Sequence, residues 1–110
     1  MRLRMLAGAA AASLVSVTLI SAPAQAAPVT CEVTPAAGQG TINVRNSPTT
    51  SSAIVDYLQP GEFMESGCSG QSGGYYNACG GASTSWVPVH IGLFYYGYVA
   101  RRCVRLYQWQ

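Results

Sequence analysis

Thr41-Ile42-Asn43-Val44-Arg45-Asn46-Ser47-Pro48-Thr49-Thr50-Ser51-Ser52-Ala53-Ile54-Val55 is the stretch on which the fold turns. Thr41 to Arg45 alternates apolar and polar residues around the β-branched Ile42 and Val44, the period-2 signature of a half-buried strand. Asn46 to Ser52 is an irregular polar connection in which Pro48, lacking an N–H, stays out of any ladder. Ile54 and Val55 then open a second strand. Strand, polar turn, strand within fifteen residues is the grammar of an all-β chain.

The same grammar continues in both directions. From Ala27 onward, Gly, Ser, Thr, Pro and Asn interrupt short runs rich in Val, Ile, Tyr and Phe, and no sustained amphipathic helix emerges. Strands are predicted at 29–34, 41–45, 54–58, 62–68, 75–79, 86–90, 95–99 and 103–106. Pro60-Gly61 predicts a type II turn, because Pro fixes φ near −65° and Gly accepts the positive φ that follows. Residues 67–74 and 80–85, dense in Gly and Ser, are predicted as flexible loops flanking a short Tyr/Cys segment.

Residues 1–26 have a separate logic. Arg2 and Arg4 form a basic n-region, Met5 to Ile20 an apolar run, and Ala24-Gln25-Ala26 the small-x-small pattern of a signal peptidase site. An h-region of roughly 15 residues falls short of the ~20 a spanning helix needs. The expectation is a secretory signal peptide at 1–26, an extracellular product, secreted freely or held at the cell wall, and no membrane after cleavage. One domain occupies 27–110. Its four arginines balance its four acids, so the formal charge of +2 falls to zero once the leader is gone. Nucleic-acid binding requires clustered cations that displace phosphate counterions. Arg101, Arg102 and Arg105 are the only cluster and read as a solvated strand edge, so no nucleic-acid partner is expected.

Cys31, Cys68, Cys79 and Cys103 all lie in the exported part. An even cysteine count in a small exported chain predicts a disulfide framework, and a bridged sulfur cannot serve as a thiolate nucleophile. The cysteines lack the close Cys-x₂₋₄-Cys pairs of a zinc site, and His90 is the single histidine. Glu62 and Glu65, at spacing three on a presumed strand, point to opposite faces; Glu32 and Asp56 are isolated in sequence. No lysine is present. The residues predict no enzyme, no cofactor and no metal.

Aromatic residues supply the remaining signal. Tyr75 and Tyr76, and Phe94, Tyr95 and Tyr96, sit in or beside loops, and neighbours on a strand face opposite ways. At least one ring of each cluster is therefore expected at the surface, where flat faces with polar handles suit sugars or extended peptides. These five are the candidate ligand-binding residues. Trp86, Tyr98 and Phe63 are expected in the core, and Tyr107 and Trp109 as tail residues folding back on the domain.

The quoted stretch resembles the opening motif of bacterial SH3-like domains, roughly Leu-Asn-Val-Arg-x-x-Pro followed by Val-Ile. Tyr57-Leu58-Gln59-Pro60-Gly61-Glu62, Trp86-Val87-Pro88-Val89 and Gly97-Tyr98-Val99 follow in that family's order, so the resemblance spans about residues 41–106. It implies a small, partly open antiparallel β-barrel, here disulfide-stapled. It also implies a non-catalytic module that recognises cell-wall (peptidoglycan) or other envelope material. Residues 67–85, with two cysteines, are a local elaboration, and Phe94-Tyr95-Tyr96 replaces a polar turn. Four cysteines allow three pairings. The family fold lays first and last strands side by side, which implies Cys31–Cys103, with Cys68–Cys79 closing the elaborated loop. The alternative functional expectation is a secreted protein–protein interaction factor, such as an inhibitor of an extracellular enzyme, whose disulfide-held loops are pre-organised for a partner.

Overall fold

The computed structural model describes residues 29–109, so the signal peptide expected at 1–26 lies outside the described residues. Among the described residues eight strands follow one another: β1 (Thr30–Pro35), β2 (Ile42–Arg45), β3 (Ile54–Leu58), β4 (Met64–Ser66), β5 (Gln71–Ala78), β6 (Gly81–Ile91), β7 (Tyr95–Ala100) and β8 (Val104–Trp109). A 3₁₀ turn, Arg101–Cys103, joins the last two. The all-β expectation holds. Hydrogen-bonded neighbours run β3-β2-β7-β6-β4-β1-β8, with β5 alongside β6, and every pairing is antiparallel, giving an open sheet with β3 and β8 at its edges.

Alternation in the sequence builds the core directly. Val33, Ile42, Val44, Leu58, Val87, Val89, Val99 and Val104 pack together with Cys103, and burying each side chain stabilises the fold by roughly 1.5–3 kcal/mol. At the predicted turn, Gly61 has φ 87° and the Glu62 N–H donates to the Gln59 carbonyl at 2.9 Å. Pro88 lies within the sheet, where a missing N–H is normally excluded. It is tolerated because β6 changes neighbours there: the pairing with β5 extends to Trp86, and that with β4 begins at Val89. The Pro88 carbonyl still accepts from the Gly67 N–H at 2.9 Å.

The Gly/Ser-rich segments predicted as flexible loops form instead a long β5–β6 hairpin. Its two-residue connection, Cys79-Gly80, has φ of 55° and 91°, and Ala78 pairs with Gly81 across it. Positive φ at both central residues gives the twist that favours tight hairpins. Glycine within β5 permits close approach: a Cβ on Gly73 would sit 2.5 Å from Trp86 Cδ1 and 2.6 Å from the Pro48 carbonyl oxygen.

The disulfide pairing differs from the one implied by the family fold. The bridges are Cys31–Cys68 and Cys79–Cys103, each with Cα atoms 5.2 Å apart. β1 and β8 do lie side by side, but their register sets Cys31 opposite Gln108 and Pro35 opposite Val104. Cys31 and Cys103 thus stand at opposite ends of the ladder, roughly 17 Å apart at ~3.4 Å per residue. Cys31 instead pairs with Ser66 on β4, two residues before Cys68. Cys68 and Cys79 are separated by the whole of β5, eight extended residues, and cannot meet. Phe63 also departs from expectation: it is 52% exposed, its ring 5.8 Å from that of Tyr107.

Candidate functional site

The β6–β7 hairpin turns through Gly92, Leu93 and Phe94, with Gly92 at φ 72° and Ile91 paired with Tyr95 below it. Leu93 (89%), Phe94 (88%), Tyr95 (75%) and Tyr96 (57%) stand in solvent. Four consecutive large apolar side chains at a turn are an unusual concentration, since exposed apolar patches of this kind mark interaction sites on soluble proteins. The tip carries no charged side chain. A shallow depression of about 220 Å³ adjoins it, lined by Asn46, Val55, Ile91, Tyr95 and Tyr96. Ile54 and Val55 on the edge strand β3 are also exposed and extend the apolar surface. Tyr96 faces away from Tyr95, its ring meeting His90 edge-on at 4.6 Å between centroids.

Of the five residues expected to bind ligand, the structure gathers three. Phe94, Tyr95 and Tyr96 share the tip. Tyr75, 66% exposed, stands near the other end of β6. Tyr76 pairs with Ser83 there, and Ser83 lies eight residues before Ile91, about 27 Å along the strand. Tyr76 itself is buried at 3% exposure. Its hydroxyl donates to the Ser85 carbonyl at 2.7 Å and accepts from the Arg102 N–H at 3.2 Å, and its ring meets Trp86 edge-on at 5.1 Å. It belongs to the packing beneath the hairpin, and Trp86 is core as expected.

Sequence reasoning missed a row of side chains that only the ladder assembles. Glu32 is the register partner of both Tyr107 on β8 and Glu65 on β4. Glu65 approaches His90 Nδ1 at 4.0 Å, and His90 pairs with Tyr96. Glu32, isolated in sequence, therefore neighbours Glu65 on the outer face. Trp109 stacks on Tyr107 at 5.7 Å and donates its indole N–H to Glu32 Oε1 at 3.0 Å, while the Arg105 guanidinium lies 5.7 Å from the Tyr107 ring centre. The last strand is thus tied to the sheet and is no loose tail.

All four cysteines are bonded, which leaves no thiolate among the described residues. Glu62 receives the Gln59 N–H at 2.8 Å across the Pro60-Gly61 turn, and Asp56 receives the N–H of its strand neighbour Tyr57 at 2.7 Å, so both carboxylates are engaged by local backbone. Among the described residues no group of three His, Cys, Asp or Glu side chains converges as metal ligands would. No helix among them is long and apolar enough to cross a membrane. In comparisons with known proteins, no family model, curated protein or solved structure matches the chain.

Proposed function

We propose that this chain is a secreted, non-catalytic binding module, built on an SH3-like barrel, that recognises cell-wall material, peptidoglycan or another envelope component, through its β6–β7 tip. The observation that carries the reading is the run of exposed side chains at residues 93–96, with a shallow depression beside it. Phenyl and phenol rings present flat apolar faces to sugar rings, and the tyrosine hydroxyls add a hydrogen-bonding edge. Two disulfides support export to an oxidising compartment. A second reading, a secreted interaction factor or enzyme inhibitor, draws support from the β5–β6 hairpin. The Cys79–Cys103 bridge anchors its end, and it displays Tyr75.

Co-sedimentation of the oxidised exported protein with purified, insoluble cell walls tests the proposal. The protein should pellet with the walls, and Phe94→Ala/Tyr95→Ala should remain in the supernatant while unfolding within about 0.5 kcal/mol of the parent, as exposed substitutions do. Parent protein that stays in the supernatant overturns wall binding, and a secreted protein co-purifying with it would favour the second reading.

A further inference from the structure

A second concavity, of about 240 Å³, opens between residues 39–43, Arg45, Thr50 and the β5–β6 hairpin. Tyr76 and Trp86 lie beneath it, and their polar atoms are already spent inward: the Tyr76 hydroxyl on Ser85 and Arg102, the Trp86 indole N–H on the Gly74 carbonyl at 2.8 Å. Both rings are almost fully buried, Tyr76 at 3% and Trp86 at 2% exposure, and support the floor from below. Its accessible apolar surface comes from Ala78, Ala100 and Cys79 of the Cys79–Cys103 bridge.

The rim has a different character. Thr41, Asn43 and Thr50 contribute neutral polar groups, and Arg45 contributes a cation. A guanidinium carries five N–H donors. Arg45 gives Nη1 to the Ser52 carbonyl at 2.9 Å. None of Glu32, Asp56, Glu62 or Glu65 lines the groove, and the ion pair formed among the described residues is His90–Glu65. A half-buried cation beside an apolar floor, without a carboxylate, lacks a countercharge among the described residues.

We propose that this groove binds the C-terminal end of a peptide whose last residue is small and apolar. The terminal carboxylate pairs with Arg45, the short side chain rests on Ala78, Ala100 and the Cys79–Cys103 bridge above the buried Trp86 and Tyr76 rings, and the preceding amide meets the Asn43 side chain. Arg favours carboxylate because its fork accepts two oxygens at once. One positive charge matches a monoanion, whereas a phosphate dianion would leave excess charge against apolar surface. The volume lies below the ~300–1,000 Å³ of drug-sized pockets and suits one or two residues. The proposal is independent of what the β6–β7 tip recognises.

The test is a ¹H–¹⁵N NMR titration of the oxidised protein with N-acetyl-alanyl-alanine, its C-terminal amide, acetate and inorganic phosphate. The free acid should give saturable shifts at Thr41, Asn43, Thr50 and the Trp86 indole. The amide should bind at least tenfold more weakly, since a charge-assisted hydrogen bond is lost. Arg45→Gln should abolish the response. Because Arg45 also holds the Ser52 carbonyl, Thr50→Trp supplies a second variant that fills the groove with that bond intact, and it too should abolish binding. Equal binding of acid and amide overturns the proposal, as do retained binding in either variant and absence of saturable shifts. Acetate or phosphate saturating the same residues as tightly as the dipeptide would also overturn it, marking a bare anion site.

Discussion

Removing the Cys79–Cys103 bridge perturbs this fold in a way the structure makes quantitative. The bridge closes a loop of sequence separation 24, for which the chain-entropy relation gives about 3.5 kcal/mol of stabilisation. Cys103 is 5% exposed within the core, so Cys103→Ala adds a packing loss of about 1 kcal/mol. Cys79 holds φ 55° at the hairpin turn, a left-handed conformation that costs a non-glycine residue about 1–2 kcal/mol. Glycine relieves that cost but gives back roughly 0.5–1 kcal/mol as unfolded-chain entropy. Cys79→Ala/Cys103→Ala should therefore lose about 4.5 kcal/mol, and Cys79→Gly/Cys103→Ala about 0.5–1 kcal/mol less. Urea unfolding followed by tryptophan fluorescence reads both, since Trp86 packs under the hairpin beside Tyr76. A total loss below about 1.5 kcal/mol would refute the crosslink as a main support. An alanine variant as stable as the glycine variant would refute the left-handed turn.

Three further outcomes follow from the packing. Trypsin plus chymotrypsin on unreduced protein, cutting after Arg45, Tyr75 and Arg102, should leave a Cys31 peptide joined to a Cys68 peptide and a Cys79 peptide joined to a Cys103 peptide by mass spectrometry; a joined Cys68 and Cys79 pair contradicts the ladder. Tyr76→Phe, which strips the hydroxyl shared by Ser85 and Arg102, should destabilise the protein by about 1–3 kcal/mol in the same urea assay. Gly97→Ala should cost about 1–3 kcal/mol, because its methyl would run into Val44 Cγ1 and approach Ile91 Cδ1 at 2.6 Å.

Strand positions were legible wherever one face is buried and the other wet. Ile42 and Val44 on β2, and Val87 and Val89 on β6, announce the core by simple alternation, and Pro60-Gly61 announces its turn. The β5–β6 hairpin was hidden because its glycines look like loop punctuation. At Gly73 the missing Cβ lets Trp86 and Pro48 approach the backbone, a long-range contact that no local pattern encodes. Cysteine pairing was hidden for a related reason. Knowing that β1 neighbours β8 is insufficient, since register moves Cys31 to the far end of the ladder from Cys103. The exposed rings at Phe94, Tyr95 and Tyr96 were readable from a run too apolar for a turn, whereas the adjacent pair Tyr75 and Tyr76 divides between solvent and core according to strand face. The Tyr107–Glu32–Glu65–His90 row joins four strands and has no trace in the linear order.

The most direct measurement is a ¹H–¹⁵N NMR titration of the oxidised exported protein with solubilised cell-wall fragments. Recognition through the β6–β7 tip requires saturable perturbations concentrated at residues 91–96 together with Asn46 and Val55, the side chains around the depression. Perturbations centred on Phe63, Tyr107 and Trp109 at the opposite edge, or none at all, would contradict it.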